Sequence, residues 1–154
     1  MAKAVKPIPE GRQLTPYLMV RGAAKAIKFY KTVFGARELV RIGAPGGKIG
    51  HAELVIGGAS FSLADEAKEW GALSPKTVGG TPVQLALYVR DVDAVVKKAV
   101  KAGAKVVRRV ETQFYGDRAG QIRDPFGHVW HLASRVEAVS FAEMKRRARK
   151  LYGV

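Results

Sequence analysis

The residues best suited to chemistry in this chain are its three histidines and a short aromatic-basic loop. His51 and Glu53 stand two apart, so on an extended strand both side chains leave the same face. An imidazole and a carboxylate so placed could serve as an acid/base pair or as ligands. They could equally satisfy one another by a hydrogen bond on a polar strand face. Phe114, Tyr115, Asp117 and Arg118 read as a loop ahead of a strand. Aromatic rings with a guanidinium suit a planar or anionic ligand, whereas an Asp117–Arg118 pair would merely order the turn. His128 follows the turn Asp124-Pro125-Phe126-Gly127 and is read as structural. No cysteine is present, which removes thiolate ligands, thiol nucleophiles and disulfides. Glycine-rich phosphate loops, dinucleotide fingerprints, Ser-His-Asp arrangements and HExxH spacing are also missing, so those chemistries have no support.

The elements that must position these residues come in two similar sets. Leu14 to Val20 reads as a strand, and Ala23 to Phe34 as an amphipathic helix stopped by Gly35. Strands are expected over Arg37–Ile42, Ile49–Ile56 and Ala59–Ala64, with glycine pairs at the turns. Residues 66–81 are polar and punctuated by glycine and proline, and read as a linker carrying Trp70, a lid or a contact residue. The pattern then restarts. A strand over Val83–Val89 is followed by a helix over Val92–Ala102, with Asp91 as its N-cap. Strands are expected over Lys105–Val110, Gln121–Arg123 and His128–Ala133, and a last helix starts at Ser140 with Glu143 completing a capping box.

A shift of 69 positions aligns the halves: Val20 meets Val89, Gly58 meets Gly127, Phe61 meets Trp130 and Leu63 meets Leu132. The chain is therefore read as two tandem βαβββ modules. Alternation turns Leu63 and Leu132 toward the helices and Ser62 and His131 toward the opposite, concave face. Trp130, matched with Phe61, is assigned to the helix side. Two such modules forming an open curved sheet would enclose a cleft between their concave faces, the natural ligand site. The expected class is α+β, with a tail over residues 1–13, modules over 14–65 and 82–134 within one domain, and a basic C-terminal helix over 135–154.

Bulk properties fit a globule. Of 154 residues, 47% are apolar and 26% charged, and no apolar run reaches membrane-spanning length. With no signal-peptide pattern, a cytoplasmic protein is expected. Lys plus Arg is 27 against 13 Asp plus Glu, a net charge of +14. Such a field attracts anions. The charges are spread along the chain, which argues for solubility and against nucleic acid as partner. The densest cluster, Lys145 to Lys150, suits the C-terminal end of a helix dipole.

The run from Tyr17 to Ala36 resembles the opening of vicinal-oxygen-chelate proteins, the superfamily of glyoxalase I, bleomycin-resistance proteins and extradiol dioxygenases. The segments His51-Ala52-Glu53-Leu54, Tyr88 to Ala94, Tyr115 to Arg118 and Asp124 to Trp130 are similar to its PhnB-like branch. Enzymes of that superfamily hold a divalent metal with one residue from the first and one from the fourth strand of each module. The resemblance implies that these positions are Thr15, Ser62, Gln84 and His131 here. Only His131 is a strong ligand and Gln84 a neutral oxygen donor; hydroxyls at Thr15 and Ser62 bind Zn²⁺ or Ni²⁺ poorly, and no anionic ligand balances the dication. Asp65, three residues past Ser62, should face the other side. The sequence therefore points to a protein that binds a small polar or anionic molecule in the cleft, with no cofactor expected. The expected ligand-binding set is Thr15, Ser62, Gln84, His131, His51, Glu53, Tyr115 and Arg118. The alternative is a metal-dependent lyase, isomerase or dioxygenase with an atypical site, holding its metal through Gln84 and His131. A homodimer is also expected, as the resemblance implies.

Overall fold

The computed structural model describes Ile8 and residues 12–153; the tail expected over residues 1–13 lies almost wholly outside them. The chain divides into two compact units, Met1–Ser74 and Pro75–Val154. Each contains a four-stranded sheet with a helix on one face.

In the first unit β1 (Tyr17–Val20), α1 (Ala23–Phe34), β2 (Arg37–Ala44), β3 (Lys48–Ile56) and β4 (Ala59–Asp65) build a sheet of order β1-β4-β3-β2. Helix α1 forms because Ala23, Ala26, Ile27, Tyr30, Val33 and Phe34 recur at helical spacing, and all are buried. It stops where Gly35 adopts φ 68°, a left-handed conformation that costs glycine little, and donates its N–H to the Tyr30 carbonyl. Tyr30 stacks on Phe34 and meets Phe61 of β4 edge-on at 5.5 Å. Burying each such ring is worth roughly 1.5–3 kcal/mol, so this cluster fixes the helix on the sheet.

The second unit opens with the short helix α2 (Pro75–Val78) and repeats the pattern. Strand β5 (Gln84–Tyr88), helix α3 (Val92–Lys101) and strands β6 (Lys105–Thr112), β7 (Asp117–Arg123) and β8 (Val129–Arg135) give the order β5-β8-β7-β6. The Asp91 side chain accepts from the Ala94 N–H as the N-cap of α3. Trp130 is buried on the helix side, with its indole N–H donating to Asp124 at 2.9 Å. Helix α4 (Phe141–Tyr152) is capped by Ser140, which accepts from Glu143 N–H. Its Arg147 donates to the Phe114 carbonyl and to Glu137.

The repeat seen in the sequence is a repeat of register. Tyr17 pairs with Ser62 and Ala86 with His131; Leu18 pairs with Leu63 and Leu87 with Leu132. Both parallel pairs thus obey the 69-residue shift.

Four expectations need correction. The first strand begins at Tyr17, not Leu14, because Pro16 lacks the N–H a ladder needs; its carbonyl still accepts from Ser62 N–H at 2.9 Å. The seventh strand runs from Asp117 to Arg123, so Asp117 and Arg118 are strand residues and not part of a loop. The eighth strand begins at Val129 and not at His128, whose N–H is held by the Asp124 carboxylate. The segment read as a linker holds a 3-10 turn over Lys68–Trp70 and helix α2, and the two units part between Ser74 and Pro75.

Candidate functional site

Apart from Arg118, the candidate residues lie on or beside the sheet faces opposite the helices. In the first unit β3 and β4 place Glu53 directly across from Ser62. Thr15 precedes β1, and its hydroxyl donates to the Arg12 carbonyl at 3.2 Å. Arg12, Thr15, Glu53, Ser60 and Ser62 line one cavity of about 270 Å³. Here the structure brings together three of the expected residues, Thr15, Glu53 and Ser62, and adds Arg12. The Arg12 guanidinium lies 3.5 Å from Glu53.

His51 shares this face, as strand spacing required. Its Nδ1 lies 2.7 Å from the Tyr17 hydroxyl and its Nε2 3.5 Å from Glu53. A phenol, an imidazole, a carboxylate and a guanidinium therefore run in sequence across β1 and β3. Burial pushes the Tyr17 phenol above its ordinary value, so it remains a neutral hydroxyl at physiological pH.

Asp65 stands apart from this set, on the helix side. One carboxylate oxygen accepts from the N–H groups of Gly22 and Ala23, at 2.8 and 2.9 Å, and the other from Ile49 N–H at 2.8 Å. It caps α1 from across the sheet, which is why Gly22 needs no capping side chain of its own. Its counterpart in the second unit, 69 positions on, is Ser134, which accepts from Val92 N–H and donates to the Val89 carbonyl.

In the second unit Gln121 lies across from His131, and the Gln121 amide donates to the Gln84 side-chain oxygen at 3.0 Å. The half-buried His131 imidazole sits beside this amide pair and has no hydrogen-bond partner among the described residues. Further along the same face, Tyr88, Tyr115, Asp117, Arg135 and Met144 line a cavity of about 400 Å³. The Tyr88 hydroxyl donates to the buried Asp117 carboxylate at 2.5 Å, and that bond, with burial, raises its pKa.

Arg118 does not join them. Alternation along β7 sends it to the face opposite that of Asp117, where it forms two hydrogen bonds to Asp93 of α3, at 2.6 and 2.8 Å. The structure thus does not bring Arg118, expected among the ligand-binding residues, to that cavity. The cation in the Tyr115 cavity is Arg135, which sequence reasoning missed. Counting by twos from His131 through Ala133 along β8 reaches it.

The four metal positions supply two hydroxyls, one amide and one imidazole. The amide oxygen of Gln84 already accepts from Gln121. The one carboxylate beside Ser62, Glu53, is shared between Arg12 and His51. Among the described residues no three His, Asp or Glu side chains gather into a metal-binding group. A divalent transition metal prefers imidazole, thiolate or carboxylate donors, so this set does not fit one.

Comparison with known proteins agrees with the architecture. The profile of the Glyoxalase/Bleomycin resistance protein/Dioxygenase superfamily matches residues 13–132. An uncharacterized protein of Mycobacterium bovis is 44% identical over 135 residues, covering 86% of this chain and 89% of that protein. The crystal structure of an Arabidopsis thaliana gene product is 31% identical with a TM-score of 0.61, covering 79% of this chain and 97% of that one. A PhnB protein from Bacillus cereus shares the fold at 18% identity, with a TM-score of 0.64 and coverage of 80% and 99%. With that family model matched over residues 13–132 and two βαβββ units in matching register, this chain belongs to the Glyoxalase/Bleomycin resistance protein/Dioxygenase superfamily.

Proposed function

We propose that the protein binds a small polar or anionic molecule on the helix-free faces of its sheets, without a resident catalytic metal. The observation that carries this reading is His131: a half-buried imidazole on that face, bordered by a neutral amide pair and left without a hydrogen-bond partner among the described residues. Among the described residues no buried side-chain nitrogen or oxygen lacks a partner, so the His131 ring nitrogens reach solvent and are open to a ligand's hydrogen bond. Arg12 beside Ser62 and Thr15 offers a cation and hydroxyls on the first module. The net charge of +14 favours an anion's approach.

The test has two arms. Elemental analysis of purified protein after mild dialysis should find well under one equivalent of Zn, Ni, Fe or Mn. Near-stoichiometric metal overturns the metal-free reading and favours a metal-dependent lyase, isomerase or dioxygenase. Calorimetric titration with citrate, phosphate and oxalate should find at least one binder whose affinity falls in His131→Ala while the melting temperature holds. Affinity unchanged in that variant would place the site elsewhere.

The reading includes a homodimer. Leu39, Val40 and Ile42 on edge strand β2 and Val106 and Val107 on edge strand β6 are exposed apolar residues that a second copy could cover. Light scattering at micromolar concentration should exceed the monomer mass of 16.7 kDa. A value at that mass would refute the dimer.

A further inference from the structure

We infer that the first module carries a second, separate site that takes a planar aromatic molecule bearing a hydroxyl. A cavity of about 560 Å³ opens between the helix-free ends of β1 and β4 and the loop after β4, and it shares no lining residue with the smaller cavity around Ser62. Its volume is in the range that holds a drug-sized ligand.

Most of its wall is apolar: Met19, Ala44, Ile49, Ala64 and Ala72 line it. Its carboxylates are largely committed. Asp65 is held by three backbone N–H groups. Glu66 accepts from Arg21 at 2.7 Å and from the N–H and hydroxyl of Ser74 at 3.0 and 2.8 Å. Lys48 and Glu69, one charge of each sign, remain in the lining and balance each other. With Arg21 paired to Glu66 and Lys48 set against Glu69, Asp65 leaves the lining net negative, which disfavours anions, and shape and stacking decide among neutral ligands.

Two features define the ligand. First, Trp70 is 86% exposed on the 3-10 turn beside the cavity. The loop that presents it is pinned at its base by hydrogen bonds in both directions between Ala67 and Ala72, 2.9 and 3.1 Å. An indole held in water at the lip of an apolar cavity offers a flat face, and a planar ring stacked on it gains affinity beyond the burial of its area. Second, Tyr17 lines the cavity, and its hydroxyl is bonded to His51. If Nδ1 of His51 carries the proton, it donates to Tyr17 and frees the phenol proton for a ligand acceptor; with the other tautomer Tyr17 donates to His51 and accepts from a ligand hydroxyl. The pair thus offers either polarity to one ligand group. Asp65 and Glu66, fixed by their bonds, hold the ends of the wall rigid, so little ordering is lost on binding.

Isothermal titration with 1-naphthol tests this, with decahydro-1-naphthol as a saturated control. The expected result is binding of 1-naphthol in the micromolar to low-millimolar range, at least tenfold tighter than the control. Trp70→Ala should weaken it at least tenfold. Tyr17→Phe should weaken 1-naphthol several-fold yet leave naphthalene unchanged. His131→Ala should have no effect, which separates this site from the one proposed above. No binding of 1-naphthol at solubility, equal binding of the saturated control, or binding unchanged in Trp70→Ala would each overturn the inference.

Discussion

Replacing Asp65 by alanine removes the acceptor for three backbone N–H groups at once. Gly22 is exposed, so its N–H can turn to water, but Ala23 and Ile49 are buried and theirs cannot. Two stranded donors cost roughly 1–3 kcal/mol each. Loss of a carboxylate at the N-terminal end of α1 adds about 1 kcal/mol. The expected total is about 5 kcal/mol. The homologous change Ser134→Ala strands one buried donor, the N–H of Val92, and leaves the Val89 carbonyl without that hydroxyl, for roughly 2 kcal/mol. Equilibrium urea unfolding followed by far-UV circular dichroism measures both. Asp65→Ala should lower the midpoint more than Ser134→Ala, and Asp65→Asn, which retains one acceptor oxygen, should fall between wild type and Asp65→Ala. The reasoning is refuted if Ser134→Ala costs as much as Asp65→Ala, or if Asp65→Ala costs under about 1 kcal/mol, because surrounding water or side chains would then be replacing the carboxylate.

Three further outcomes are expected. Hydrogen bonds from Arg146, then Arg147, lower the Glu143 pKa from an ordinary 4.5 to about 2. Its contribution to docking α4 is therefore complete above pH 4.5 and lost as pH falls through about 2; the Tyr152 ring of α4 meets Phe114 edge-on at 5.8 Å, and nuclear Overhauser contacts between the two should weaken over that window and not at pH 6. Gly116→Ala should destabilise the second module, because φ is +95° and a Cβ there would lie 2.5 Å from the Glu137 carbonyl oxygen; a melting temperature equal to wild type would contradict this. Arg118→Ala removes only an exposed ion pair with Asp93, so the melting temperature and binding of any ligand at His131 should both stay essentially unchanged. A loss of binding in that variant would restore Arg118 to the site.

Periodicity and punctuation decided what was local. Helix α1 runs over the residues its apolar spacing marked, and it ends at the glycine that marked its stop. Asp91 and Ser140 cap the helices they precede, since a cap bonds within its own turn. The 69-residue shift seen in the sequence also relates the two parallel ladders, Tyr17–Ser62 to Ala86–His131, because two modules of one fold repeat one ladder. Strand alternation placed His51 with Glu53, and Leu63 and Leu132 in the core.

What depends on partners distant in the chain was decided only by the tertiary structure. Nothing near Tyr17 in sequence announces the bond to His51, 34 positions away. Alternation turned Asp65 away from the face of Ser62, but only the fold shows that it caps a helix, because the end of β4 lies beside the start of α1. The sequence placed Arg118 in a ligand-facing loop; an extended β7 turned it toward Asp93 and left that cavity's cation to Arg135. Neighbouring strand residues point to opposite faces, so one residue of error in a strand's start exchanges a binding residue for a surface one. Helix boundaries survive such an error; the identity of a site residue on a sheet does not.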